Sequence, residues 1–466
     1  MRSAVAILVI AFMSACQMAP AHVRPTSPAP QAYPAEYAGD SALGSRASTI
    51  GWRDFFVDPR LDALIGAALE HNRDLAVAVA QIDEARGLYR IQDADRLPTV
   101  GGTAGATRSR AGITGAPPGT APVTFDRYSI GVGVSAFELD FWGRVRNLSE
   151  AARSQFLATV EAQRAFRLSL IRQVAATYLA SLEAAERIRL AESTVASRQE
   201  GLRIARVRFD AGITSALDYR QAESLLTQAE TELAGLRLTR TRAENALAVL
   251  VGGPVTDRLP PALPLARQSS PVALGAGLPS ELLVTRPDIL AAEERLRASR
   301  ANIGAARAAF FPSISLTGNL GYASTELDEL VGSSGLTWSF GPSINLPIFD
   351  RGRRRGNLTV AEARENIAIA TYERVIQTAF QEVSDALAGR RYLADQVAAQ
   401  ERGTQAQRQI AELAHIRYNE GVVGYIEVLD AERNLFAAEQ ALLQLRRAEA
   451  ENLVALYVVL GGGVME

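Results

Sequence analysis

Lysine is absent from this chain: all 49 basic residues are arginine, set against 51 acidic ones, for a net charge of −2 over 466 residues. A balance that close argues against nucleic acid as the principal partner. Histidine is almost absent too, and His22, His71 and His415 are scattered, with no zinc-ligand spacing. There is no nucleophile elbow and no phosphate loop, and Gly131-x-Gly133 follows no βα pattern, so nothing marks an enzyme, a metal site or a cofactor site. The single cysteine, Cys16, rules out an intrachain disulfide. Aromatic residues amount to 6% while Ala fills the helical stretches, which implies long, closely packed helices rather than one compact core. No later apolar run approaches the roughly 20 residues of a spanning helix; Leu453–Leu460 stops at Gly461-Gly462-Gly463. Any membrane crossing must therefore use strands.

The amino terminus has a basic start, an apolar run from Ala4 to Phe12, and then Met13-Ser14-Ala15-Cys16. This resembles a bacterial lipoprotein signal, which implies removal of residues 1–15 and a lipid on Cys16; an ordinary secretory signal with an incidental cysteine and an N-terminal membrane anchor are the alternatives. Gln17, where an Asp would retain such a lipoprotein at the inner membrane, goes with delivery to the outer membrane. Residues 16–50 form an extended tether with Pro20, Pro25, Pro28, Pro30 and Pro34.

Beyond the tether the chain is written twice. Ile289, Leu296, Ile303 and Phe310 fall seven residues apart, one apolar stripe of a helix that meets another helix. After Pro312 the period becomes two, with Ile314, Leu316, Leu320 and Tyr322 on one strand face. Asp74, Leu75, Ile82, Tyr89 and Pro98 precede Asp288, Ile289, Leu296, Ile303 and Pro312 by a constant 214. Residues 51–253 are the first copy, 254–280 a Pro- and Leu-rich linker, and 281–466 the second.

The first copy predicts a helix over Arg60–Arg96, two strands between Thr99 and Phe141, a helix over Val145–Phe209, a turn at Gly212, and a helix over Ser215–Leu250. The second strand carries Tyr128, Ile130, Val132 and Val134 on one face; the first, with Val100, Gly102, Ala104 and Ala106, is a weak signal. The second copy predicts strands over Ser313–Tyr322 and Leu336–Ile348, a helix over Asn357–Tyr418, a turn at Gly421, and a helix over Ile426–Leu460. The turns and the terminal glycine pairs, Gly252-Gly253 and Gly461-Gly462, are offset by 209, so five residues are lost between the strands and the turn. A helix of some 65 residues is about 100 Å long, more than an ordinary domain needs. Four strands per chain cannot close a barrel; three chains give twelve.

The stretch LPSELLVTRPDILAAEERLRASRANIGAARAAFFPSISLTG, residues 278–318, resembles the TolC-type outer membrane factors, in particular their lipidated NodT/OprM-like efflux branch. Arg417-Tyr418-Asn419-Glu420-Gly421 and Val428-Leu429-Asp430-Ala431-Glu432 are also similar. The resemblance implies an α+β membrane protein: a homotrimer whose 12-stranded outer-membrane barrel continues into a long periplasmic α-helical barrel. It implies a periplasmic adaptor and an inner-membrane pump as partners, with passive export of small molecules. Type I protein secretion is the alternative within that class, and a lipid-anchored periplasmic coiled-coil scaffold the alternative outside it.

The resemblance also assigns roles at the tip. On sequence alone Glu427 and Asp430 are solvated acids near a helix start, able to share one face with Ile426. In similar proteins the position of Asp430 forms an acidic ring, that of Ile426 an apolar constriction, and those of Glu427 and Asp218 further acidic tip sites. Trp142 and Trp338 fit either an interfacial girdle or packing at the strand–helix junctions. Arg351, Arg353, Arg354 and Arg355 read as a solvated surface beside the membrane, and His415 as a helix-surface residue.

Overall fold

The computed structural model describes residues 18–34, 36, 45–111, 123–254, 259–268, 272, 274, 275, 277, 279–332 and 334–463. Cys16 lies outside them. Helices of three turns or more and strands run in the order α1 (Pro59–His71), α2 (Arg73–Ala94), β1 (Val100–Ala111), β2 (Val123–Glu138), α3 (Arg144–Asp210), α4 (Ala216–Leu250), α5 (Pro287–Ala308), β3 (Ser313–Ser324), β4 (Leu336–Asn345), α6 (Arg353–Asn419) and α7 (Tyr425–Val459). Contacts divide the chain into two compact units. One holds the chain up to Thr26, Gln81–Val160 and Ala291–Tyr372; the other holds Ser27–Ala80, Glu161–Leu290 and Glu373–Glu466.

In the first unit the four strands form one antiparallel sheet in the order β1-β2-β3-β4. Its register aligns apolar rows across the strands. Ala104 pairs with Ile130, Ile130 with Tyr322 and Tyr322 with Leu336; the next row runs Gly102, Val132, Leu320, Trp338. The opposite face carries Thr103, Ser129, Gly131, Asn319, Gly321 and Ser339. The apolar face ends at an ion pair, Arg108 to Asp126 at 2.7 Å. A β-bulge between Val134 and Phe137, with Ala136 at φ 52°, brings Phe137 opposite Leu316. Strand β4 stops at Asn345, short of the expected Ile348, so Leu346 and Ile348 lie outside the ladder.

The second unit is built on the long helices. Leu170, Val174, Tyr178 and Leu182 of α3 are buried at four-residue spacing, and Ile376, Val383 and Leu387 of α6 are buried in the same unit. Asp58 caps α1 through the Arg60 amide at 2.9 Å and also accepts from the Tyr178 hydroxyl at 2.6 Å, the Leu263 amide at 3.1 Å and Gln268 at 2.7 Å. That one buried carboxylate ties the inter-repeat linker to α1 and α3.

The duplication is sharper in structure than in sequence. Helices α3 and α6 both have 67 residues and α4 and α7 both 35, all offset by 209. Gly143 and Gly352, at φ 73° and 87°, already carry that offset before the long helices begin. The lost residues therefore fall between the β1/β3 pair and these glycines. On α5, Ile289, Leu296 and Ile303 are fully buried, but the helix ends at Ala308 and Phe310 is 41% exposed, off the stripe.

The single expected helix over Arg60–Arg96 is two. It breaks at Asn72 and ends at Ala94. Asn72 is buried, its Oδ1 accepting from the Leu75 amide at 2.8 Å as an N-cap, its Nδ2 donating to the Leu250 carbonyl at 2.9 Å. The second copy makes the same link with other chemistry: Arg286, one position before α5, donates to the Val459 carbonyl at 3.2 Å. Leu250 and Val459 are the last residues of α4 and α7. Replacing Asn72 by Ala removes the α2 cap and strands a helix-terminal carbonyl. The expected loss is about 1–2 kcal/mol, read as a lower melting temperature of the detergent-solubilised protein; an unchanged melt contradicts the role.

Candidate functional site

Both turns lie in the second unit. Gly212 and Gly421 sit at φ 72° and 73°, the left-handed region open to glycine. Each closes its long helix in a Schellman motif, the Ile213 amide donating to the Arg208 carbonyl at 2.8 Å and the Val422 amide to that of Arg417 at 2.9 Å. Past each glycine stands an exposed apolar pair at equivalent positions: Ile213 and Leu217, then Val422 and Ile426.

The acids at the two turns are used differently. At the first, Ser215 caps α4 and forms a reciprocal capping box with Asp218, which also accepts from the Thr214 hydroxyl at 2.6 Å. Hydrogen bonds from Thr214 and Ser215 hold the Asp218 carboxyl below the usual carboxylate range. At the second, the N-cap is Gly424, which has no hydroxyl to offer. Glu427 instead pairs with Arg417 of α6. Asp430 pairs with Arg433 at 2.9 Å and keeps a 56% exposed side chain. Ile426 and Asp430, four apart, face solvent, whereas Glu427 turns toward α6. Among the described residues no hydrogen bond joins Asp218 to Glu427 or Asp430.

Below these acids the helix ends are locked by rings. Arg208, the counterpart of Arg417, donates to the Tyr418 hydroxyl and lies 5.6 Å over its ring. Tyr418 leans on Tyr425 at 5.1 Å. Tyr425 in turn fits against α3 because position 201 is glycine; a Cβ there would collide with the phenol. Burial, then the Glu432 charge, pushes the Tyr425 hydroxyl up to about 12. Arg208 and Arg433 escaped the sequence reading, although Arg433 stands at i+3 from Asp430 and Arg208 is 209 before Arg417. His415 is half-exposed, 2.8 Å from Glu432.

Other expected features resolve locally. Trp142 donates to the Pro312 carbonyl at 2.8 Å and stacks on Phe311, the packing role; Trp338 is 74% exposed on the apolar face of β4. In the arginine run Arg353 and Arg355 are exposed, but Arg354 is half-buried, binding Asp350 at 2.7 Å and lying over Phe310.

In the first unit the tether is clamped as a strap along α5. Arg24 and His22 both reach the buried Glu293 at 3.0 Å. Arg300, seven residues on, donates to the Val23 carbonyl at 2.8 Å and approaches the other His22 nitrogen at 3.2 Å. Arg307, seven further, donates to the Met18 carbonyl at 3.4 Å. Position 304 must be small, since a Cβ would meet Ala19 at 2.8 Å. The strap runs antiparallel to α5, so Met18 lies beside the helix end that leads into β3. Burial alone would raise the Glu293 carboxyl; hydrogen bonds from Arg24 and His22 and the charges of Arg24 and Arg297 outweigh it and hold it low.

Comparison with known proteins agrees with this geometry. The family model described as outer membrane efflux protein matches residues 64–253 and 278–462. The chain is 41% identical over 452 residues to the cation efflux system protein CusC of Escherichia coli, covering 97% of this chain and 96% of CusC. It is 42% identical over 457 residues to the solvent efflux pump outer membrane protein SrpC of Pseudomonas putida, with 97% and 96% covered. The open-state crystal structure of the MtrE outer membrane channel of Neisseria gonorrhoeae superposes with a TM-score of 0.87 at 39% identity, over 96% of this chain and 99% of MtrE.

Because the folded value of Glu293 lies below its unfolded one, its contribution is present at neutral pH and lost as pH falls through the depressed value. Amide protection of the strap, corrected for intrinsic exchange, should hold down to about pH 4.3, the ordinary glutamate value, and fail below it. Arg300→Gln should speed strap exchange at pH 7 about tenfold, since a hydrogen bond from a charged donor contributes about 1.5–3 kcal/mol. Unaltered protection in that variant contradicts the clamp.

Proposed function

We infer the function of this chain from one premise: it belongs to the outer membrane efflux protein family. It is an outer-membrane efflux channel reaching into the periplasm, not an enzyme. Three chains pool their four strands into a twelve-stranded barrel continuous with a barrel of long helices. One observation carries the reading: the register-aligned sheet has an apolar face for lipid and a face of Gly, Ser, Thr and Asn for water. A periplasmic scaffold has no use for such a sheet.

The duct is passive and takes its energy from an inner-membrane pump reached through a periplasmic adaptor. The exposed apolar residues at the turns, Ile213, Leu217, Val422 and Ile426, suit the adaptor's tip. Relatives named for cation and for solvent efflux stand at 41% and 42% identity, so resemblance does not single out a cargo. Choice of cargo belongs to the pump, and small molecules rather than proteins are the class. A lipid on Cys16 holds the chain to the membrane.

At the tip, threefold symmetry turns Asp430 into a ring of three carboxylates, with Ile426 as an apolar ring one turn away. Arg433 screens each Asp430 in part. Asp218 and Glu427 hold the turns, Asp218 as a capping residue and Glu427 by pairing α7 to α6. Asp430→Asn removes charges each worth about 1 kcal/mol to a cation at 4 Å in water. In planar bilayers the variant should conduct more and lose cation preference by about fivefold; an unchanged selectivity and conductance would falsify the ring.

A further inference from the structure

Where β4 gives way to α6 the chain is both apolar and basic. Leu346, Ile348 and Phe349 follow the last strand residue and are 53%, 89% and 84% exposed. Arg351, Arg353, Arg354 and Arg355 come next, and the one acid from Leu346 to Val360 is Asp350. Asp350 is occupied locally. It accepts from the Gly352 amide at 3.0 Å and from the Arg354 amide and guanidinium at 3.1 and 2.7 Å. The side chains of Arg351, Arg353 and Arg355 are exposed and meet no hydrogen-bond or ion-pair partner among the described residues.

The first copy has the same turn without this charge. Its equivalent stretch, 209 residues earlier, balances Glu138 and Asp140 against Arg144 and Arg146. Arg144 is bound to Glu138 at 2.5 Å, and the Asp140 carboxylate accepts the Arg146 amide at 2.7 Å. In the second copy Pro347 and Phe349 replace Glu138 and Asp140, and Arg351 replaces Trp142, leaving one acid against four arginines. Arg351 is held at φ 51°, a left-handed conformation that disfavours any residue but glycine. A long cation kept in that conformation, and kept exposed, suits a ligand from outside the chain.

The neighbouring strand indicates which ligand. Trp338, Phe340 and Ile344 of the apolar sheet face are exposed and belong in lipid. The strand end that leads into α6 is the periplasmic end, because the long helices reach into the periplasm. The junction therefore lies at the headgroup level of the periplasm-facing leaflet, where a phospholipid offers a phosphate to arginine and acyl chains to apolar residues. We propose that the β4–α6 junction binds anionic phospholipid, Arg351, Arg353 and Arg355 holding the phosphate and Ile348 and Phe349 reaching the acyl chains. The proposal rests on the channel reading above. A trimer carries three such sites. A zwitterionic headgroup, whose own amine offsets its phosphate, holds less attraction for them than phosphatidylglycerol.

Native mass spectrometry of the full-length protein in detergent tests the site, with phosphatidylglycerol and phosphatidylcholine supplied at equal concentration. One arginine beside an anionic headgroup favours it about fivefold, so the wild type should retain phosphatidylglycerol at least that strongly over phosphatidylcholine. The triple variant Arg351→Gln, Arg353→Gln, Arg355→Gln should retain the two equally, as an intact trimer. Ile348→Ser with Phe349→Ser should lower both alike. Excess inorganic phosphate should displace neither lipid; displacement of phosphatidylglycerol assigns the arginines to a free anion and overturns the lipid site. Equal retention by the wild type, or a preference that survives in the triple variant, also overturns it and leaves the channel reading intact. If the triple variant loses its trimer, Arg351→Gln alone decides: a preference lowered at least twofold supports the site, and an unchanged one overturns it. A wild type that is not trimeric overturns the channel reading itself, and the site with it.

Discussion

Unpaired backbone is the constraint from which the rest follows. The outer strands β1 and β4 each pair on one side only within the chain. Their apolar faces belong in lipid, where each unsatisfied N–H or C=O costs several kcal/mol. One chain can therefore neither span the membrane nor remain soluble with those faces bare: Trp338, Phe340 and Ile344 are 74%, 66% and 70% exposed. Closing the sheet against two more copies satisfies the edges and buries nothing that lipid cannot cover.

Duplication supplies the parts, and divergence gives them different work. Asn72 and Arg286 both reach the terminal carbonyl of a short helix, one as a neutral cap, the other as a buried cation shared with Asp288 and Glu382. Ser215 commits Asp218 to a capping box; Gly424 leaves its counterpart Glu427 free to hold Arg417. Only the second turn has Asp430, since its counterpart is Gln221. The ring proposed for Asp430 would thus hold three carboxylates rather than six.

Much of this was legible because the signals were periodic. The seven-residue stripe Ile289, Leu296, Ile303 reports burial directly, the alternation of β4 reports an apolar sheet face, and the turn glycines report a positive φ. What the sequence hid was local polar chemistry. Asn72 inside an otherwise helical pattern looks like one more polar residue until its two hydrogen bonds are seen. Weak strand β1, with Gly102 and Ala104, declares itself only through pairing with Val132 and Ile130. Arg208, which reaches Tyr418, and the strap residues that meet Glu293, Arg300 and Arg307 join positions too far apart for any spacing rule.

The claim on which all of this depends is that one chain is an unfinished part. The protein mass of the detergent-solubilised particle, measured by light scattering with the detergent contribution subtracted, addresses it directly. Three times the 50.0 kDa of the chain, less its signal, is the expected result. A stable particle of a single chain mass, with its strand content intact, contradicts it.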